Sequence, residues 1–235
     1  MRIYINPYEM YEETKRDLAE MGILVKPKTM QDKIVEGNPD YFTKELQNYS
    51  YMLLDANSQG INEVMPVVQP WADAEFEERV TNPFVIGHFI NPGKAYELRH
   101  EVWDEYLHDG KLAYTYNELI WNNDQCTKVM NRLKVDPESR QLWISLWDPT
   151  RDPDLLGGVS RVPCSLGYGF QVREGKLNMH YVMRSCDFST HFANDVYLAV
   201  KFLEWMANQV GYEVGSFTHT IFSLHVYQKD VKDVF

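Results

Sequence analysis

The sequence predicts a single α/β (α+β) domain, and three stretches carry that prediction. Residues 164–185, "CSLGYGFQV-REGK-LNMHYVMRS", read as a hairpin closed by a glycine-containing four-residue turn. Its second arm sets Leu177, Met179, Tyr181 and Met183 on one face and Asn178, His180, Val182 and Arg184 on the other. From Asp195 to Val210 the spacing turns helical, with Val196, Ala199, Leu203, Met206 and Val210 inward and Gly211 as the stop. "FTHTIFSLHVY" follows as a final strand.

The remaining elements are justified in chain order. Residues 8–21 carry Met10, Thr14, Leu18 and Met21 at helical spacing, ending at Gly22. "VKPKTMQDKIVEG" reads as a basic loop leading into a short strand, and "NPDYFTKELQNYSYML" (38–53) as a helix entered after Asn38-Pro39. Proline, glycine and asparagine mark 56–96 as an insertion on the surface of the 1–235 domain. "AYELRHEVWDEYLHDG" (95–110) predicts an amphipathic helix closed by Asp109-Gly110. In "RQLWISLWDP" (140–149), Leu142, Ile144 and Leu146 alternate with Trp143, Ser145 and Trp147, as in a strand with two unequal faces.

Bulk properties exclude several classes of function. A hydrophobic content of 44% over 235 residues supports a sizeable core. No apolar run is long enough for a membrane helix, and the acidic "MRIYINPYEMYEE" is unlike a signal peptide. Three cysteines without CxxC spacing argue against a disulfide framework and a zinc site, and suit a reducing cytoplasm. A net charge of −11 opposes a phosphate-backbone footprint, so a nucleic-acid polymer is not expected as a partner. A small anion held by a few arginines is compatible with that charge.

The candidate chemistry gathers around the hairpin. Cys164 has the default role of a small buried hydrophobe, but a nucleophilic thiol needs a nearby cation, and antiparallel pairing would bring Arg184 to the same end of the sheet. Arg184-Ser185 combines a planar fork with a hydroxyl, which suits a phosphate; a sheet-edge carbonyl or a salt bridge would also satisfy the arginine. Asn194 and Asp195 are of the types that cap helices. His225 and Tyr227 share a strand face. His191 is read as structural.

These residues gain a joint meaning from a resemblance. "RVPC", "MRSCD", "ND" and "SLHVY" stand in the order and approximate spacing of the thymidylate synthase family, with phage deoxycytidylate (dCMP) hydroxymethylases as the most similar branch. "DPESRQLWISLW" is similar to the family's arginine-pair strand, "VWDEYLHDGKLAYTYNELIW" to its tryptophan and tyrosine segment, and "YFTKELQNY" to its catalytic-glutamate helix. The resemblance implies a curved mixed β-sheet with helices on one face and a homodimer packed through the other. It also implies one-carbon transfer from 5,10-methylenetetrahydrofolate, as co-substrate, to C5 of a pyrimidine deoxynucleoside monophosphate. Cys164 matches the nucleophile that adds to C6, making C5 enamine-like. Arg184 and Ser185 match phosphate ligands, and Arg140 an arginine donated across the dimer to a shared active site.

Asp187 matches the aspartate near the pyrimidine and pterin, and His225 with Tyr227 the pair on the sugar 3′-hydroxyl. Trp103 matches the folate-side tryptophan, Tyr116 the proton-network tyrosine, and Glu45 the water-ordering glutamate. Asp195 stands where a thymidylate synthase has asparagine; a carboxyl suits cytosine, whereas Asn194 at that place would restore uracil reading. Three departures accompany the match. Gln141 replaces the second arginine of the pair, with Lys28 as the candidate to compensate. Ser165 replaces a histidine, and eight residues follow Tyr227, leaving 56–96 as candidate cover for folate. The expected product is 5-hydroxymethyl-dCMP or 5-methyl-dCMP for modified DNA, made in the cytoplasm (a host's, if the source is a virus). The alternatives are an enzyme acting on dUMP and a catalytically silent nucleotide-binding homologue.

Overall fold

Residues 1–85, 91–158 and 160–235 are described by the computed structural model; residues 86–90 of the expected insertion lie outside them. The chain opens with β1 (Arg2–Tyr4) and α1 (Pro7–Met21). The Asn6 side chain accepts from Glu9 N at 2.9 Å, Pro7 takes the first helical position, and Gly22 N–H closes the helix on Leu18 O at 3.2 Å. Next come β2 (Ile23–Val25), a ribbon of β3 (Thr29–Met30) and β4 (Lys33–Ile34), and the long β5 (Thr43–Leu53). Helices α2 (Ser58–Val64), α3 (Trp71–Val80), α4 (Lys94–Glu97), α5 (His100–Trp103), α6 (Tyr116–Trp121) and α7 (Gln125–Val135) lead to β6 (Trp143–Ser145). The hairpin β7 (Ser165–Arg173) and β8 (Lys176–Asp187), then α8 (Phe192–Val210), β9 (Glu213–Tyr227) and α9 (Val231–Val234) complete the order.

The sheet runs β1-β5-β9-β8-β7-β6, with β2 also on β5. It is mixed: β1–β5 and β8–β9 are parallel and the other neighbours antiparallel. The hairpin turns through Glu174 and Gly175, both at positive φ, as a two-residue turn between twisted strands requires. Leu177, Met179, Tyr181 and Met183, read onto one face of β8, are all buried. They meet α8, whose stripe of Val196, Ala199, Leu203 and Met206 is buried too. Each fully buried large apolar side chain there contributes about 1.5–3 kcal/mol. Gly211 closes α8 at φ +80, a conformation that favours glycine.

The opposite face carries no helix among the described residues. One row crosses it through six strands: Ile3, Met52, Thr218, His180, Gly169 and Trp143.

Three expectations are corrected. Residues 43–53 form a strand rather than a helix, with only a 3-10 turn at Pro39–Tyr41. Asn48 sits at φ +52 and interrupts the pairing with β9, so burial passes from Leu46 to Tyr49; with Thr43 also buried, the three stand three apart and mimic a helical stripe. The 95–110 helix is broken at Arg99 (φ −153, ψ 34), whose side chain turns inward over the Trp71 ring at 4.9 Å. The described part of 56–96 is not superficial: Ile61, Trp71, Ala72 and Phe76 join the main core, and α2 and α3 pack on α8. The strand read over 140–149 is shorter, but its unequal faces hold, with Leu142, Ile144 and Leu146 buried and Trp143 exposed.

Candidate active site

A cavity of about 600 Å³ opens where β5, β9, β8 and β7 end against α3, α5, α6 and the first turn of α8. The hairpin places its most reactive group. Cys164 immediately precedes β7, half-buried, and Arg184 N donates to its carbonyl at 2.8 Å. The Arg184 side chain then folds back: Nε donates to Pro163 O at 2.9 Å, and Nη2 to Val162 O at 3.0 Å and to Cys164 Sγ at 3.7 Å. Gln31 Nε2 reaches the same sulfur from the β3–β4 ribbon at 3.5 Å. Arg184 therefore satisfies sheet-edge carbonyls while it stands beside the thiol.

Strand pairing supplies the second wall. Glu45, His225 and Asp187 lie side by side on β5, β9 and β8. Ser223 Oγ donates to Glu45 Oε2 at 2.5 Å and lies 3.3 Å from His225 Nδ1. Asp187 Oδ1 accepts from Ser189 N and Oγ at 3.1 and 2.9 Å, which fixes its rotamer. Burial lowers the His225 imidazole from its usual value and raises the Tyr227 phenol, so both are neutral near pH 7. The Tyr227 ring stands edge-on to His225 at 5.2 Å.

Helices close the cavity. Tyr116 begins α6, held by a capping box in which Glu118 Oε2 accepts from Thr115 N at 2.9 Å. Its hydroxyl accepts from Ser165 Oγ at 3.2 Å, and Ser165 also meets Tyr181 OH in a short hydrogen bond. Asp195 lines the cavity from α8 and accepts from the Cys186 thiol at 3.6 Å. Burial pushes its carboxyl up to about 6, against the opposing pull of Arg79 and the Cys186 hydrogen bond. Trp103 stands at the far wall under Arg161, whose guanidinium carbon lies 4.5 Å from its ring and 4.6 Å from that of Tyr106.

This geometry coincides with a family match. Residues 91–235 fit the family described as thymidylate synthase. The chain belongs to the thymidylate synthase family. Over 226 residues it is 28% identical to "Putative thymidylate synthase" of Methanosarcina acetivorans, covering 91% of this chain and 94% of that protein. It is 33% identical over 112 residues to "Thymidylate synthase" of Oenococcus oeni, covering 47% and 34%. The structure of thermostable thymidylate synthase A from Bacillus subtilis superposes with a TM-score of 0.70 at 20% identity, covering 97% of this chain and 82% of that one. The fold is thus a thymidylate synthase fold, and the chain is a thymidylate synthase-like, folate-dependent one-carbon transferase.

Of the thymidylate synthase residues expected here, Cys164, Glu45, Tyr116, Asp195, Arg184, Ser185, Asp187, His225, Tyr227 and Trp103 all line the one cavity. Three do not. Lys28 is exposed, pairs with Glu36 at 2.9 Å and does not line the cavity, although its neighbours Pro27 and Thr29 do. Arg140 lies beside a groove on the helix-free face of the sheet. Asn194 is 2% exposed and both ends of its amide are occupied: Oδ1 accepts from Val68 N at 2.9 Å, and Nδ2 donates to Thr190 O at 3.2 Å. Asn194→Ala should therefore cost about 1–3 kcal/mol of stability and leave nucleotide discrimination unchanged. Urea unfolding with parallel dCMP and dUMP assays checks this; an altered preference would return Asn194 to the site.

His191, read as structural, is a cavity residue instead. Its ring centroid lies 5.9 Å from that of Trp103, and burial drives its imidazole down to about 4, which leaves it neutral.

The helix match for Glu45 also changes. Glu45 is on a strand, and the helical carboxyls lining the cavity include Glu75 and Glu78 on α3, beside Glu101 on α5 and Asp195 on α8. Burial raises Glu78 to about 7, while Ala95 N–H donates to it at 2.6 Å. Glu75 pairs with Arg79 at 2.9 Å. A signal existed for these residues: Trp71, Ala72, Glu75, Phe76, Glu78 and Arg79 share one helical face, so the charges fall on the apolar stripe.

Proposed function

We propose that this cavity binds deoxycytidylate, that Cys164 adds to C6 of its pyrimidine ring, and that C5 then takes a one-carbon unit. The observation that supports cytosine is that Asp195, rather than Asn194, lines the cavity, with a carboxyl that titrates at about 6. The 4-amino group of cytosine donates to one carboxyl oxygen, and N3 shares a proton with the other, a charge-assisted pair. Uracil puts O4 where the amino group stands, and an ionised carboxylate there sets lone pair against lone pair. A proton held on N3 also makes C6 more electrophilic toward Cys164.

The other residues take roles that fit their surroundings. Arg184 and Ser185 meet the phosphate, and His225 with Tyr227 the sugar hydroxyl. Asp187, fixed by Ser189, stands between ring and pterin. Tyr116 and the neighbouring carboxyls, Glu45 on the sheet side and Glu75 and Glu78 on the helix side, accept the C5 proton and order water.

The Trp103–Tyr106 wall suits the flat pterin of methylenetetrahydrofolate. Arg161 Nε there is buried and has no partner among the described residues, a donor free for a ring acceptor. The folate supplies the one-carbon unit; this chain's residues orient the nucleotide, hold the thiol and control water. Trp71, Glu75, Glu78 and Gly93 bring the 56–96 segment to the cavity, as cover for that ligand.

Incubation with methylenetetrahydrofolate and 5-tritiated dCMP or dUMP tests the reading. Tritium release from dCMP is expected, and product mass separates hydroxymethyl from methyl. Release from dUMP alone would establish the second reading, which the names of the similar Methanosarcina and Oenococcus proteins favour. Binding without release would establish the silent homologue.

The helix-free face is where a second copy is proposed to pack, bringing its Arg140 to this chain's phosphate site. Mixing inactive Cys164→Ser with inactive Arg140→Ala should then restore turnover, because mixed dimers hold one intact site. No recovery after subunit exchange would place each site within one chain.

A further inference from the structure

Arg79 is 4% exposed, and a buried guanidinium is costly unless its surroundings hold it. Its Nε donates to Glu75 Oε1 at 2.9 Å, one turn back on α3. Its guanidinium carbon lies over the Tyr116 ring, 4.3 Å from the centroid. Its backbone carbonyl accepts from Trp121 Nε1 at 3.1 Å, fastening α3 to the helix that Tyr116 begins. Through the Ser165 hydroxyl, Tyr116 reaches the residue next to Cys164. Arg79 and Asp195 line the same cavity.

We propose that Arg79 is a specificity-determining positioning residue: anchored by Glu75, its guanidinium holds the Tyr116 ring in place and sets the charge on Asp195. Cys186 from β8 touches Asp195, and the charged and titratable groups close enough to act on it through space include Arg79 and Glu75 from α3, Arg99 from the α4–α5 connection, Tyr181 from β8, Tyr168 from β7, Tyr116 from α6 and Tyr51 from β5. Burial favours the protonated carboxyl, and Arg79 is the strongest influence in the other direction, ahead of Arg99. Base reading and the tyrosine beside the nucleophile are thereby tied to one cation.

The inference rests on the dCMP reading for its activity readout, but not for its titration. In protein labelled with carbon-13 at the aspartate carboxyls, the Asp195 signal, assigned by its loss in Asp195→Asn, is titrated without substrate. Arg79→Gln should raise the midpoint by about one pH unit, a tenfold gain in proton affinity. Glu75→Gln/Arg79→Gln, which leaves no buried charge unpaired, should raise it less, and it decides the matter if the single variant does not fold. Arg79→Lys should keep the midpoint near that of the parent but lose kcat, because a compact ammonium does not replace a planar guanidinium over the ring. An unmoved midpoint in the folded glutamine variants overturns the control of Asp195, and full turnover in Arg79→Lys overturns the hold on Tyr116. Were the parent protein to release tritium from neither nucleotide, the functional reading would fall while the titration still decided on Arg79.

Discussion

Asp195→Asn is expected to turn the nucleotide preference over, changing the ratio of kcat/KM for dCMP and dUMP by about 10⁴-fold. An asparagine amide accepts from N3–H and donates to O4, the pattern of uracil. It has no ionisable proton to transfer to N3 of cytosine. The loss is large because the site is buried, so a mispaired polar edge has no water to turn to. The pH profile should change with it. The raised carboxyl is protonated below about 6 and ionised above it, so dCMP turnover should decline as pH rises through that value. The variant lacks this carboxyl, so the decline centred near 6 should disappear, leaving Glu78, raised to about 7, as the cavity carboxyl that still titrates in the range. Paired tritium-release assays from pH 5 to 8 measure both effects; a variant that still prefers dCMP would show that another group reads the base.

The second large effect belongs to the nucleophile. In Cys164→Ser, tritium release should fall by on the order of 10⁴-fold or more, while nucleotide affinity stays within about tenfold. The contrast follows from the chemistry. The C5 hydrogen leaves only after C6 has been attacked, because that addition is what makes C5 nucleophilic. Binding uses the phosphate, sugar and base edges, which the substitution leaves alone. Since Cys164 is half-buried and the hairpin bonds run through backbone atoms, the variant should fold. Calorimetric binding beside the tritium assay separates the two quantities. Retained turnover would mean that no covalent bond to C6 is needed.

Legibility in the sequence followed the cleanness of each pattern. The hairpin and α8 could be read because Leu177, Met179, Tyr181 and Met183 keep an unbroken period of two, and Val196 to Met206 one of helical spacing. β5 was obscured by Asn48, whose positive φ shifts the buried set by one position; with Thr43 also buried, the strand carries a helical spacing. The segment around α3 was misplaced on the surface because its proline, glycine and asparagine were read as the mark of an insertion, while Glu75, Glu78 and Arg79 interrupt its apolar stripe. Those same charges line the cavity. The site residues on β8 and β9 were found by their motifs. His191 was not, since a lone histidine ahead of a helix has no signature of its own. Asn194 and Asp195 differ by one position, and only the direction of α8 separates them: one amide holds Val68 and Thr190, the other side chain meets the cavity.

The adjacency of Glu45, His225 and Asp187 across β5, β9 and β8 has a metric consequence. Hydrogen-bonded strands stand about 4.8 Å apart, so three neighbours mark off about 10 Å in two fixed steps. That spacing is set by backbone pairing rather than by side-chain rotamers, and a sheet cannot change it without breaking its ladder. Under the proposed function, the sheet side of the cavity is the part with fixed distances, and a new base preference would arise by exchanging a residue on the helices that abut it, as at Asp195.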